Sequence, residues 1–316
     1  AASQTRTGPM AERDNPPRIS VVIPHYNDPE ALRHCLAALR SQEGARDGLE
    51  LIVVDNGSEA LPSGICAEVP GVQLLSEPEP GPGPARSRGA GQARGEIVAF
   101  IDADCRAAPG WSAAIAAAFD DPSTQIAGGD VRIAPQRDSQ MSATEAYESV
   151  FGYRMHLYIE RDGYAATCNM AVRRDIFAAV GPFAGIGMAE DMDWGRRATA
   201  LGYHHTYVPE MRVYTPARRD FGELTRKWDR HIAHFYAENR TRPAAQARWL
   251  ARTALVAASP AAELITVARS DRVSGFSNRA KALAVVTRLR LWRASQMLRL
   301  AFGADPDQLA AGWRKS

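Results

Sequence analysis

Four short runs of β-branched and apolar residues, RISVVIP (18–24), LELIVVDNGS (49–58), GVQLLSE (71–77) and EIVAFIDAD (96–104), are separated by stretches that read as helix or loop. DPEALRHCLAALRSQ (28–42) opens on Asp-Pro, a good helix start, and PGWSAAIAAAFDD (109–121) carries proline near its first turn. PEPGPGP (78–84) can only be loop, and ARSRGAGQARG (85–95) behind it is compatible with a helix. Strands alternating with helices of this length predict an α/β fold: a mainly parallel sheet with helices on both faces.

Beyond residue 122 the rhythm loosens. STQIAGGDVRI (123–133), AATCNMAVRR (165–174) and HHTYVPE (204–210) read as strands, and SATEAYESVFGYRMHLYIE (142–160) as one helix. AEDMDWGRRATALGY (189–203) is a helix with acids in its first turn and Gly202 as its stop. After Pro216 the pattern is helical throughout. The expected organisation is a leader over 1–17, a catalytic domain over 18–216 and a helical, basic C-terminal region over 217–316. Within the leader, AASQTRTGP precedes Met10 and reads as a cloning remnant.

Charge divides the same way. Residues 1–216 hold 19 Lys+Arg against 28 Asp+Glu, a net of −9, whereas 217–316 hold 19 against 8, a net of +11. The basic part is therefore suited to an anionic surface. Four scattered cysteines with no CxxC spacing point away from zinc and from a disulfide framework, and towards a reduced, cytoplasmic setting. No apolar run reaches the length of a membrane span, no signal peptide is recognisable, and no nucleic-acid reading module is present.

The chemistry gathers at strand ends. PHYND (24–28), DNGS (55–58) and DAD (102–104) each follow a predicted parallel strand, where α/β sheets bind ligands. In an extended chain Asp102 and Asp104 would point to the same side and repel unless a cation joined them, which suits Mg²⁺ or Mn²⁺ bridging carboxylates to phosphate oxygens. Asp55 can accept from the ring N–H of a uracil-type base, and Tyr26 can stack on its face. Arg86 and Arg88 are placed to reach phosphate oxygens or an acid.

These motifs together resemble family 2 glycosyltransferases of the GT-A fold. The matching stretches, in order, are VVIPHYN (21–27), VVDNGS (53–58), GPGPARSRGAGQARGE (81–96), AFIDAD (99–104), CNMAVRR with GPF (168–174, 181–183) and EDMDWGRRATALGY (190–203). The resemblance implies metal-dependent, inverting transfer of a sugar from a nucleotide donor, a uridine-diphosphate sugar above all, to an acceptor hydroxyl. It implies that Pro24, Tyr26 and Asn27 belong to the donor-base motif and that Asp55 recognises the base. It implies that Arg88 lies in the segment lining the nucleotide site. It also implies that Asp102 and Asp104 form the metal-binding pair, with Asp104 in direct contact and Asp102 nearer the ribose. Asp191, with Glu190 beside it, matches the catalytic base, and its place in a helix's first turn is expected to keep it ionised. Many relatives carry a histidine after the last strand. Thr215, in RVYTPARR (212–219), stands there instead, and His204, His205, His231 and His234 lie elsewhere.

Three other readings compete. PHYND in place of a glycine-rich basic loop disfavours a sugar-phosphate nucleotidylyltransferase. Cys105-Arg106 after the acids disfavours a phosphohydrolase with Asp102 as nucleophile. A non-catalytic nucleotide-sugar-binding scaffold is opposed by the presence of Asp102, Asp104 and Asp191. In the tail, NRAKALAVVTRLRLWRASQMLRLAFG (278–303) is either an arginine-rich helix lying on an anionic bilayer, with Trp292 at the interface, or a helix packed back on the protein. WLARTALVAASPAAELITVA (249–268) could add to a membrane-facing surface, but Arg252, Pro260 and Glu263 oppose spanning. The first alternative makes the protein a peripheral enzyme of the inner membrane face, acting on a carbohydrate, lipid or lipid-linked acceptor.

Overall fold

The computed structural model describes residues 17–42, 48–135, 140–186, 189–241 and 243–311, so the leader lies almost wholly outside them. Its strands are β1 (Ile19–His25), β2 (Leu49–Asp55), β3 (Gln73–Ser76), β4 (Ile97–Ile101), β5 (Arg106–Ala107), β6 (Ile126–Ile133), β7 (Asn169–Arg173) and β8 (His205–Thr215). They form one sheet in the order β3-β2-β1-β4-β7-β6-β8-β5. The first four pair in parallel, as their near-continuous apolar runs require, and β7 then pairs antiparallel with both β4 and β6. The sheet is thus parallel at one side and mixed at the other.

Helices α1 (Pro29–Arg40), α2 (Ser63–Ala67), α3 (Pro82–Ala90) and α4 (Trp111–Phe119) fall between the early strands. Asp28 caps α1 by accepting from the Ala31 N–H, and Pro29 occupies its first turn. Next come α5 (Ala143–Phe151), α6 (Met155–Glu160), α7 (Arg174–Val180) and α8 (Glu190–Ala200). The single helix expected over 142–160 is two: Gly152 ends α5 with its N–H on the Glu148 carbonyl, and a new helix starts at Met155. The last strand runs on to Thr215, five residues past the segment that the sequence pattern marked. The C-terminal helices are α9 (Phe221–Asn239), α10 (Ala245–Ala258), α11 (Pro260–Arg269), α12 (Phe276–Ala301) and α13 (Pro306–Ala311).

The chain divides into two units. The first comprises residues 1–130 and 155–213, the second 131–154 and 214–316, so the basic helical region takes in α5 from the middle of the sequence.

In the first unit the core is the buried strand set Ile19 to Ile23, Leu51 to Val54 and Ile97 to Ile101, covered by Leu32, Leu36 and Leu39 of α1, Trp111 and Ile115 of α4, and α3. α3 lies hard against the sheet: a Cβ on Gly89 would come within 2.4 Å of Val22 and 3.0 Å of Val54. Strand order reverses beside β1, with β2 and β3 on one side and β4 on the other. Such a switch point opens a crevice at the strands' carboxyl ends. The β1–β4 ladder is recorded from Ile19 to Val22, and Pro24, with no N–H to donate, falls just beyond it.

In the second unit the basic residues are largely spent on internal contacts. Arg293 stacks over Trp228 at 3.7 Å, Arg252 over Phe235 at 3.9 Å and Arg288 over Phe221 at 4.0 Å. Arg290 pairs with Glu263 at 2.7 Å, Arg279 donates to carbonyls ending α11, and Lys281 to the Met141 carbonyl. Trp292 donates to Asp229 at 3.1 Å. Ala282, Val285, Val286 and Leu289 of α12 are buried against α5 and α9, so one face of this helix is packed back on its own unit, while Leu291 and Leu298 are exposed.

Candidate active site

Two strand ends are welded first. His25 closes β1 and Asp55 closes β2, in register, and the His25 Nδ1 lies 2.9 Å from the Asp55 Oδ1 with both side chains buried. The Ser58 N–H donates to the other Asp55 oxygen at 3.1 Å, and the Asn27 N–H donates to the Ser58 hydroxyl at 2.9 Å. Asn27 adopts a left-handed backbone, φ 49°, and its amide oxygen accepts from the Glu59 N–H. Burial pushes the Asp55 carboxyl upward, but the bonds from Ser58 and His25 outweigh it and hold it below the ordinary range. Tyr26, between these fixed residues, is 64% exposed and presents its ring to solvent. His25 Nε2 is buried and has no partner among the described residues.

Asn56 continues the frame. Its amide donates to the Glu77 and Glu79 carbonyls and accepts from the Gly81 N–H at 2.7 Å, fixing the start of the glycine-proline loop.

The acid pair departs from the extended geometry expected of it. β4 stops at Ile101, and Asp102 to Cys105 form a turn closed by the Cys105 N–H on the Asp102 carbonyl at 2.9 Å. A turn, rather than strand pleating, brings the two carboxylates together. The protein packed behind Asp104 and the charge of Asp102 raise its carboxyl to about 6, opposed by the weak S–H of Cys105 at 3.6 Å.

Arg86 joins this turn to the far side of the site. It is 4% exposed, donates to Asp102 Oδ1 at 2.6 Å and to Glu190 Oε1 at 2.7 Å, and so binds two carboxylates at once. Burial alone would lower its basicity, yet Asp102 and Glu190 more than compensate and hold it firmly protonated. Arg88 is exposed and makes no recorded bond among the described residues. Two residues apart on a helix point to different faces, so Arg86 can be buried while Arg88 is exposed. The small residues that let α3 pack closely, Gly83, Ala85, Gly89 and Ala90, lie on both sides of the two arginines and do not by themselves separate them.

α8 carries the remaining acids. Trp194 is fully buried, stacks with Phe177 and Phe183, and donates to the Gly181 carbonyl at 2.9 Å. Phe100 of β4 packs on the same two phenylalanines, so one aromatic cluster holds both the strand leading to Asp102 and the helix bearing Glu190 and Asp191. Asp193 pairs with Arg197, which caps the Val180 and Pro182 carbonyls, a structural role. Asp191 corrects the expectation of its helix position. Burial and the neighbouring Glu190 raise its carboxyl above the ordinary range, and the Met192 N–H and Arg86 only partly oppose them.

Asp102, Asp104, Arg86, Glu190 and Asp191 therefore form one chain of charge, with His25, Tyr26, Asn27 and Asp55 on the other side of the switch point. Among the described residues no group of three or more His, Cys, Asp or Glu is arranged to hold a metal. Two carboxylate residues fit Mg²⁺ or Mn²⁺ that takes its other oxygens from water and substrate phosphates. Thr215 is buried at the end of β8, its carbonyl accepting from Ala134. His205, ten residues earlier, is lowered to about 4 by burial and by His204, while His231 and His234 belong to α9.

Comparison with known proteins gives the family and the fold. The profile "Glycosyl transferase family 2" matches residues 20–181. Glycosyltransferase AglE of Haloferax volcanii is 32% identical over 217 residues, 67% of this chain and 70% of that protein. Among solved structures, a mannosyltransferase of Pyrobaculum calidifontis, in complex with GDP-Man and Mn²⁺, superposes with a TM-score of 0.58 at 20% identity, covering 96% of this chain and 89% of that one. Residues 1–349 of S. aureus TarS, in complex with UDP-GlcNAc, superpose with a TM-score of 0.51 at 18% identity, covering 87% and 90%. The chain belongs to glycosyl transferase family 2 and is a glycosyltransferase of the GT-A fold.

Proposed function

We propose that the enzyme moves a sugar from a uridine-diphosphate donor to an acceptor hydroxyl with inversion, using Asp191 as general base. The observation that carries this reading is the two ion pairs of Arg86, one to Asp102 and one to Glu190, which set the proposed donor-side acids and acceptor-side helix at a fixed spacing. Asp55, held ionised by Ser58 and His25, is an acceptor suited to a base N–H, and the open ring of Tyr26 is suited to stacking. Pro24 and Asn27 shape that end of the crevice. A hydroxyl is a poor nucleophile until its proton is taken as it attacks, and a carboxylate with a raised proton affinity is a better base for that task. Glu190, tied to Arg86, orients the first turn from which Asp191 projects.

Asp104 and Asp102 are the residues that would hold Mg²⁺ or Mn²⁺. Bound there, the ion supplies Lewis-acid stabilisation of the charge growing on the departing diphosphate. Mn²⁺ in the mannosyltransferase complex supports the divalent class, and the GDP-Man and UDP-GlcNAc complexes leave two bases to compare. Arg88 is the exposed cation of the same helix and is proposed to meet the donor from outside. The acceptor is proposed to be lipid or lipid-linked and reached at an anionic membrane surface, a reading supported by the net +11 of residues 217–316.

Calorimetric titration of UDP and GDP, with and without Mn²⁺, tests the donor assignment. Metal-dependent binding of UDP over GDP is expected. Preference for GDP would overturn the uridine assignment, and metal-independent binding would overturn the role given to Asp102 and Asp104.

A further inference from the structure

The arginines of α12 are engaged within their own unit, which leaves the question of what surface the basic unit offers a membrane. α10 and α11 meet at a 46° bend around Ser259-Pro260. Trp249, Thr253, Val256 and Val267 turn inward, whereas Leu255 is 71% exposed, Ile265 59% and Leu264 55%. From Thr253 to Ala268 the chain contains a single charge, Glu263. That carboxylate is mostly buried and neutralised by Arg290 at 2.7 Å. The outer face of the bend is therefore uncharged over its whole length, and it is flanked by exposed Arg248 on one side, with Arg252 beside it stacked over Phe235, and by exposed Arg269 on the other.

We propose that this α10–α11 elbow is the surface by which the enzyme sits on an anionic lipid bilayer, with the apolar outer face in the headgroup–acyl boundary and the flanking arginines among the headgroups. The inference deepens the membrane-acceptor reading and rests on it. Three observations select a lipid plane. Neither helix can cross alone: at about 1.5 Å per residue both fall well short of a hydrocarbon core of about 30 Å. Their combined length is bent, so the pair suits lying in the interface rather than spanning it. A second copy of the chain is disfavoured, because an isologous contact would bring like-charged arginine rims together, whereas an anionic surface complements them.

The test uses the full chain and co-sedimentation with phosphatidylcholine vesicles, with and without about one third phosphatidylserine. The unaltered enzyme should partition to the anionic vesicles only. The triple variant L255S/L264S/I265S should bind them at least about tenfold more weakly while keeping its helical circular dichroism and melting temperature. Arg248→Gln with Arg269→Gln should weaken binding by several fold and flatten its salt dependence. As a second readout, Leu264→Cys carrying an environment-sensitive dye should shift to the blue on vesicles, since the four native cysteines are buried and unlabelled.

Undiminished binding by the triple variant, or no dye shift while the protein binds, overturns the elbow and leaves the membrane reading standing. No binding by the unaltered enzyme overturns both. Equal binding to neutral vesicles, or a dimer in solution that the triple variant dissolves, overturns the assignment to an anionic bilayer.

Discussion

Arg86 is buried and Arg293 half-buried, and in both the Nε is buried without a partner among the described residues, yet the two units treat them in opposite ways. In the first unit Arg86 binds two carboxylates and is held firmly protonated. In the second, Arg293 stacks over the Trp228 ring, and burial with the nearby charge of Arg290 lowers it to about 10. One arginine is a node between two acids of the proposed site; the other is a packed plane that happens to be charged. The contrast teaches that a sheltered cation can be held either by opposite charge at strand and helix ends or by an aromatic face.

The largest effect that sharpens this contrast is at Asp191. Asp191→Asn should lower the transfer rate about a thousandfold or more while donor affinity is kept, measured by initial rates and calorimetry. Transfer retained at the wild-type rate would remove Asp191 as the base. The sign with pH also follows. Asp191 must be ionised to act, and its proton affinity is raised, so the rate should fall on acidification through a midpoint above that of an ordinary aspartate. Ionising a carboxyl whose folded value is raised costs stability, so that contribution is lost as pH rises through the folded value. Asp191→Asn should therefore raise the melting temperature at neutral pH and leave it unchanged in acid.

Arg86→Met comes next. It leaves Asp102 and Glu190 facing one another without a cation, and a loss of about 2–4 kcal/mol in denaturant unfolding is expected, discounted because both acids keep some access to water. His25→Phe, which keeps the volume and removes the bond to Asp55, should weaken UDP binding by about tenfold with little change in the turnover of bound donor. Smallest is Arg293→Met, which keeps the apolar stem and loses only a cation–π contact. Its effect on stability should stay within about 1 kcal/mol of zero. A loss as large as that at Arg86 would break the comparison.

The strands that build the site were legible because each carries an uninterrupted apolar run ending in a polar cluster, and the strand end carrying Asp55 and the helix start carrying Asp191 lie where such ends were expected. Three details were not legible. Small buried residues flank both arginines of α3, so no local pattern shows that Arg86, not Arg88, is the buried one. The turn at Asp102 depends on where β4 stops, which a run of apolar residues continuing into DAD conceals. The inward use of the α12 arginines depends on rings and acids distant in sequence, Phe221, Trp228 and Glu263, which no local pattern announces.

α3 holds both acids and the 183–184 segment. Arg86 reaches Asp102 and Glu190, Ser87 accepts from the Phe183 N–H at 2.9 Å, and a Cβ on Gly83 would collide with the Ala184 carbonyl at 2.1 Å. Those three residues fall within a single turn and a half, so they act as one fitted block. A chimera built to trade acceptor preference between relatives should keep 82–90 together with 181–191 from the same parent. A junction placed between them would separate a lock from its key.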